Sequence, residues 1–119
     1  MTTKWIEHQG KRILYIDYRG HKTDTEMFQT MDEEVKIEAA SPVKVLGLAN
    51  FVGVNVTANY MARVNKTGVE VRNQKVQKMA LLGVTGLKLI LLQSYFRFTG
   101  ATNMKTFDTE AAALAWLVE

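Results

Sequence analysis

The fold is decided by residues 79–98, which read MALLGVTGLKLILLQSYFRF. Residues 79–84 form an unbroken apolar run, the pattern of a strand that is covered on both faces of a sheet. Thr85 and Gly86 then turn the chain directly into the helical pattern of residues 87–98. A buried strand followed at once by a helix is the start of a βαβ unit, so this stretch predicts an α/β protein.

The segments around that unit predict four more strands. Residues 5–8 and 12–18 are short and rich in aromatic and β-branched side chains, and Gly10 between them indicates a β-hairpin. Residues 43–51 are apolar almost throughout, as expected of a central strand. Residues 104–107 complete the set as a short last strand.

The first of three further helices begins with a capping box, because Glu26 follows Thr23 at the required spacing. It is predicted to end near residue 40, where the coming proline disfavours helical backbone. Its acidic residues are expected to form the solvated side of the helix or to contact a basic partner. They are Asp32, Glu33, Glu34 and Glu38.

The other two helices are also located by their caps. Either Asn55 or Thr57 caps the second helix, and Gly68 is expected to stop it. Asp108 is predicted to cap a final helix over residues 109–118.

The resulting order, ββαβαβαβα, predicts one mixed, mostly parallel sheet, because helix-linked parallel strands cross over right-handedly. A chain of 119 residues suits a single domain over residues 1–119. With 47% hydrophobic residues the composition is that of a globular protein, and no apolar run is long enough to span a membrane. The start shows no secretory signal, so a cytoplasmic location is expected.

Catalytic groupings are not predicted. Cysteine is absent, which excludes disulfides and thiolate chemistry. His21 has Asp17 and Asp24 near it in sequence, but a metal site usually needs three or four ligands. We therefore predict no enzyme, no metal and no cofactor, and we expect His8 and His21 to be exposed loop residues.

The net charge of +3 comes from the second half of the chain. Its basic residues are expected to be solvated, or to form a patch for an acidic partner or phosphate. Those residues are Arg63, Lys66, Arg72, Lys75 and Lys78. Nucleic acid is not a predicted partner, since the interleaved aromatic residues that stack on bases are missing.

Thr85 and Gly86 stand where the free N–H groups at the start of a helix can hold an anion. They are a candidate anion site, with Thr85 acting as a simple helix cap as the alternative.

The helix over residues 87–98 has two apolar stripes, although packing against a sheet needs only one. The stripe expected to face the sheet is Leu87, Ile90, Leu91, Tyr95 and Phe98. The second stripe is Leu89, Leu92 and Phe96. It is covered by the alanine-rich last helix, by a second copy in a homodimer, by a small apolar ligand or, less expectedly, by a membrane surface.

Two runs, LGVTGLK at residues 82–88 and FDTEAAALAWL at residues 107–117, resemble the SpoIIAA-like proteins. These form a bacterial group with the STAS fold of anti-sigma-factor antagonists, and the resemblance extends over residues 13–117. It implies the ββαβαβαβα order, a distant relationship to CRAL-TRIO lipid-binding domains, and no catalytic signature. Most members of this branch have no known function.

In the better-understood antagonists, a serine or threonine at the start of the second helix is phosphorylated by a partner kinase. The matching residues 55–58 read NVTA, so the usual Asp-Ser-Ser-Gly-like run is missing. The resemblance implies a phospho-switch or partner site at Thr57 and Asn55, with simple capping by Thr57 as the alternative.

The leading hypothesis is therefore a non-enzymatic regulatory or protein-interaction module with an unidentified protein partner. The alternative is a binding protein for a small apolar or lipid-like ligand.

Overall fold

The computed structural model describes residues 2–119 and has one five-stranded sheet in the order β1-β2-β3-β4-β5. The strands are β1 (Thr3–His8), β2 (Lys11–Asp17), β3 (Val45–Asn50), β4 (Val76–Leu82) and β5 (Met104–Phe107). β1 is antiparallel to β2, and the other neighbours are parallel. The predicted α/β class with a mixed, mostly parallel sheet is confirmed.

The helices are α1 (Asp24–Ala40), α2 (Ala58–Thr67), α3 (Asn73–Lys75), α4 (Leu87–Thr99) and α5 (Glu110–Leu117). The predicted capping box of Thr23 and Glu26 is present, and Thr57 rather than Asn55 caps α2. Asp108 was the wrong cap for α5, because the Thr109 side chain accepts the hydrogen bond. No helix in residues 2–119 is long and apolar enough to cross a membrane.

The strand order explains which helices share a face of the sheet. Each step from β2 to β5 moves the chain in the same direction, so right-handed crossovers put α1, α2 and α4 on one face. These helices pack on Leu14, Ile16 and Met79 of that face. α5 follows the last strand and packs on the opposite face, so the expectation that it covers α4 is wrong.

α2 ends at Thr67 with Gly68 as its C-cap, as predicted, but Gly68 has right-handed helical backbone with φ −61°. The chain continues through one π-helical turn, Gly68–Arg72, into α3. Glycine is required there because a Cβ atom would lie 2.8 Å from Cε1 of Tyr95, whose side chain is fully buried. The residue permits close packing of this π segment against α4.

The rotation of α4 about its axis differs from the prediction. Its inner side is centred on Lys88, Leu92 and Tyr95, so it combines one residue from each predicted stripe with Lys88, which belongs to neither. Leu87, Ile90 and Phe98 were expected to face the sheet, but they are 68%, 58% and 66% exposed. The two stripes are about equally apolar, so periodicity alone did not favour the correct rotation.

Candidate functional site

The N-terminal ends of α1 and α2 meet at a polar groove of about 380 Å³, which we call the interhelical groove. Its lining residues are His21, Lys22, Thr23, Asp24, Met27, Gly53, Asn55 and Thr57. The fold therefore brings both predicted switch residues to one surface.

Thr57 connects the two helices at this groove. Its hydroxyl oxygen accepts a hydrogen bond from the backbone N–H of Tyr60 at 3.1 Å, which caps α2. The same hydroxyl donates to Oδ1 of Asp24, in the first turn of α1, at 2.6 Å. The Thr57 residue is nevertheless exposed, so it is both accessible and a contact between two elements.

Within residues 2–119, the His21 side chain forms no hydrogen bond to Asp17 or Asp24, although His21 and Asp24 both line the interhelical groove. Nε2 of His21 lies 2.6 Å from the Thr30 hydroxyl oxygen, and His21 is half-buried rather than exposed. The Asp17 carboxylate instead accepts hydrogen bonds from Arg19 at 2.9 Å, and these lower the pKa of Asp17.

His8 is also not a loop residue, since it ends β1 opposite Lys11, at the other end of β2 from His21. Within residues 2–119, no three His, Asp or Glu side chains are grouped as a metal site requires.

Thr85 and Gly86 lie before α4 as predicted, but Thr85 does not cap the helix. Gly86 is the N-cap residue and has φ +58°. No side chain accepts a capping hydrogen bond from the N–H groups at the start of α4. The Thr85 carbonyl accepts from the Lys88 N–H at 3.2 Å. Anion binding at this turn stays a prediction.

A second candidate region is a cavity of about 70 Å³ between the sheet and α2, the π segment and α4, which we call the core cavity. Its apolar lining includes Met61, Val64, Met79, Leu81, Leu91 and Leu92. Its polar lining includes Tyr18, Glu34, Arg72 and Lys88. Most of this surface is hydrocarbon, with charged groups confined to a few positions.

Three ionisable side chains are buried beside this cavity. Glu34, Glu38 and Arg72 are only 4%, 0% and 2% exposed. Nη1 of Arg72 is 3.7 Å from Oε2 of Glu34, and its Nε donates to the Tyr95 hydroxyl at 3.2 Å. Arg72 also donates to the Val64 carbonyl. We call Glu34, Glu38 and Arg72 the buried charge cluster.

Glu34 and Glu38 were expected on the solvated side of α1, so the sequence did not predict this cluster. Helical phase contained the signal, because positions 27, 31, 34 and 38 fall on one side of a helix and the first two are the core residues Met27 and Met31.

The five basic residues of the second half form neither the expected solvated side nor the alternative basic patch as one group. Arg72 is inside the protein, while Lys75 and Lys78 donate to the carbonyls of Ser41 and Trp116 at 3.0 and 2.9 Å. These contacts separate the basic residues among different parts of the fold.

Burial governs proton affinity in this region. It raises the pKa of Glu38 to about 11, and the negative charge of Glu34 acts in the same direction. Burial likewise raises the pKa of Tyr18 well above its usual value. For Arg72, burial is the largest single influence and lowers the pKa, but Glu34, Tyr95 and Glu38 together raise it more, and the net direction is upward. At neutral pH the cluster therefore contains a protonated Glu38 and a charged Arg72.

The structure divides the predicted ligand or dimer patch. Leu92 packs against the core and lines the cavity, whereas Leu89 is 39% exposed. Phe96 is half-buried and lies edge-on to Tyr95, with ring centroids 6.1 Å apart.

Residues 13–118 match the SpoIIAA-like family, and the chain belongs to it. Its fold is similar to the crystal structure of an uncharacterized DUF3478-family protein with a SpoIIAA-like fold from Shewanella loihica PV-4. The TM-score is 0.71 at 17% identity, over 97% of this chain and 91% of that one. This likeness is one of fold alone. The curated proteins include no match to this chain.

Proposed function

We propose that this SpoIIAA-like chain is a non-enzymatic module that binds a protein partner at the interhelical groove, under control of Thr57. The observation that carries the proposal is the position of the Thr57 hydroxyl, which is exposed and hydrogen-bonded to both α1 and α2. A covalent change there alters the contact between two helices and the surface around it.

Phosphorylation of Thr57 would act on this contact in two opposing ways. A phosphate adds roughly −1.5 to −2 charges, which the positive N-terminal end of α2 favours. The same charge is repelled by the Asp24 carboxylate, and the phosphorylated side chain no longer donates to it. The balance favours separation of the α1 and α2 ends, which changes the shape of the groove.

The test is affinity capture from a lysate of the source organism, using the unmodified chain and Thr57→Glu as baits. We expect a protein that the unmodified chain recovers and Thr57→Glu does not. Titration of that purified protein should then show a Kd at least about tenfold weaker for Thr57→Glu, the effect of roughly 1.4 kcal/mol.

Thr85→Glu is the matched control, because Thr85 is also an exposed threonine before a helix but makes no capping contact. It should retain the partner. Recovery of the same proteins by all three baits would contradict the proposal.

A second candidate function, binding of a small apolar or lipid-like molecule, is favoured by the core cavity beside Leu91 and Leu92. A native mass spectrum of protein purified gently from its host tests it. Extra mass that is lost on denaturation supports this function, and the bare chain mass counts against it.

A further inference from the structure

The core cavity has polar atoms without partners at its surface. Within residues 2–119, neither the Tyr18 hydroxyl nor Oε2 of Glu34 has a hydrogen-bond partner. Both residues line the cavity, and they are only 1% and 4% exposed. Native proteins rarely leave buried polar atoms unpaired, so these two atoms point to a missing partner.

The identity of these atoms limits what that partner can be. A carboxylate oxygen only accepts hydrogen bonds, and the nearest guanidinium nitrogen, Nη1 of Arg72, is 3.7 Å from Oε2 of Glu34. The missing group must therefore donate a hydrogen. A deprotonated carboxylate or phosphate head is disfavoured, because it has no hydrogen to donate to Oε2 of Glu34.

The apolar lining of the cavity indicates the chemistry of the rest of the ligand. Met61, Val64 and Leu92 present hydrocarbon on the helical side of the cavity. A molecule that satisfies both parts has a short aliphatic chain and one polar end.

We infer that the core cavity binds a small aliphatic alcohol or amine, with its hydrogen-donating head against Glu34 and Tyr18 and its chain along Met61, Val64 and Leu92. This inference rests on the small-molecule candidate function and adds the chemical class of the ligand. Hydroxyl and ammonium heads share the donor chemistry, and the experiment distinguishes them.

The test is a titration of the ¹⁵N-labelled full chain, followed by amide NMR shifts, with 1-hexanol, hexylamine and 1-methoxypentane. The ether has the same atoms as hexanol but no O–H donor. We expect hexanol and hexylamine to shift amides around the cavity, and the ether to bind about three- to tenfold more weakly, the effect of one hydrogen bond. The tighter of the two donors identifies the head as hydroxyl or ammonium.

Tyr18→Phe should weaken binding of the tighter of the two donor probes by a similar factor of about three to ten. This variant removes a hydroxyl that has no partner, so it is expected to fold. Tyr15→Phe is the matched control, because Tyr15 is a buried tyrosine on the opposite face of the sheet and its hydroxyl accepts from Asn50. It should leave binding unchanged.

Two other outcomes overturn the inference in different ways. Equal binding of all three probes, unaffected by Tyr18→Phe, would show an apolar ligand site without donor recognition, and the small-molecule function would stand. If none of the three probes binds, water is the partner of the unpaired atoms, and both the inference and the small-molecule function are contradicted.

Discussion

At the scale of single residues, Glu38 occupies the least favourable environment for its charged form. It is fully buried, and neither carboxylate oxygen has a hydrogen-bond partner within residues 2–119. Burial raises its pKa to about 11, so the folded protein keeps a proton that the unfolded chain releases above about pH 4.3.

This difference in proton binding makes stability depend on pH. Because the folded pKa is raised, the contribution of Glu38 is fully present below the unfolded pKa and is lost as pH rises toward the folded pKa. The slope is at most about 1.4 kcal/mol per pH unit for one proton.

We predict that Glu38→Gln flattens this loss of stability, because glutamine resembles the protonated acid and cannot ionise. Urea unfolding at about pH 5.5 and about pH 8.5 measures it: the free energy of unfolding should fall less for the variant than for the unmodified chain. Glu70→Gln, at an exposed position, should keep the original difference. Equal pH dependence of Glu38→Gln and the unmodified chain would show that Glu38 is not protonated in the folded state.

At the scale of one element, α4 is the helix whose apolar residues least reveal its orientation. Leu92 packs on the core, while Ile90, two residues earlier, is 58% exposed. Truncation to alanine at each of these two positions therefore tests the rotation of the helix, because only the residue that faces the core should affect stability.

We predict that Leu92→Ala lowers the free energy of unfolding by about 1–3 kcal/mol, because it removes half-buried hydrocarbon beside a cavity. Ile90→Ala should change it by no more than about 0.5 kcal/mol, since alanine is also the better helix former. Urea unfolding of both variants makes the comparison. A large loss for Ile90→Ala that grows with protein concentration would instead indicate a second copy covering this face.

At the scale of the whole molecule, the two faces of the sheet are covered unequally. Three crossover helices pack on one face, whereas α5 is the helix whose residues join the core cluster on the other. Leu117 and Ala113 of α5 are fully buried against Ile13, Leu48 and Ala80. Much of the cover of that face therefore depends on an element only eight residues long.

We predict that Leu117→Ala lowers the free energy of unfolding by about 2–5 kcal/mol, because the cavity it leaves has few neighbours able to fill it. Ala115→Ser, at an exposed position of the same helix, should change it by no more than about 0.5 kcal/mol. Thermal or urea unfolding measures both. A small effect of Leu117→Ala would mean that α5 contributes little to the core.

The sequence by itself determined the order of the strands and the four longer helices, the hairpin, the capping box at Thr23, a cap for α2 at either Asn55 or Thr57, and the family. These features depend on residues within a few positions of one another, such as Thr23 with Glu26 or Thr57 with the N–H of Tyr60. Local chemistry is visible in a single sequence.

Only the tertiary structure decided the partners of Glu34, Glu38 and Arg72, the rotation of α4 and the contact between Thr57 and Asp24. Each depends on groups that are distant in the chain and meet when the crossovers place α1, α2 and α4 on one face. A carboxylate is favourable in water and costly when buried. Whether burial is tolerated depends on where its partners lie, and sequence periodicity does not contain that information.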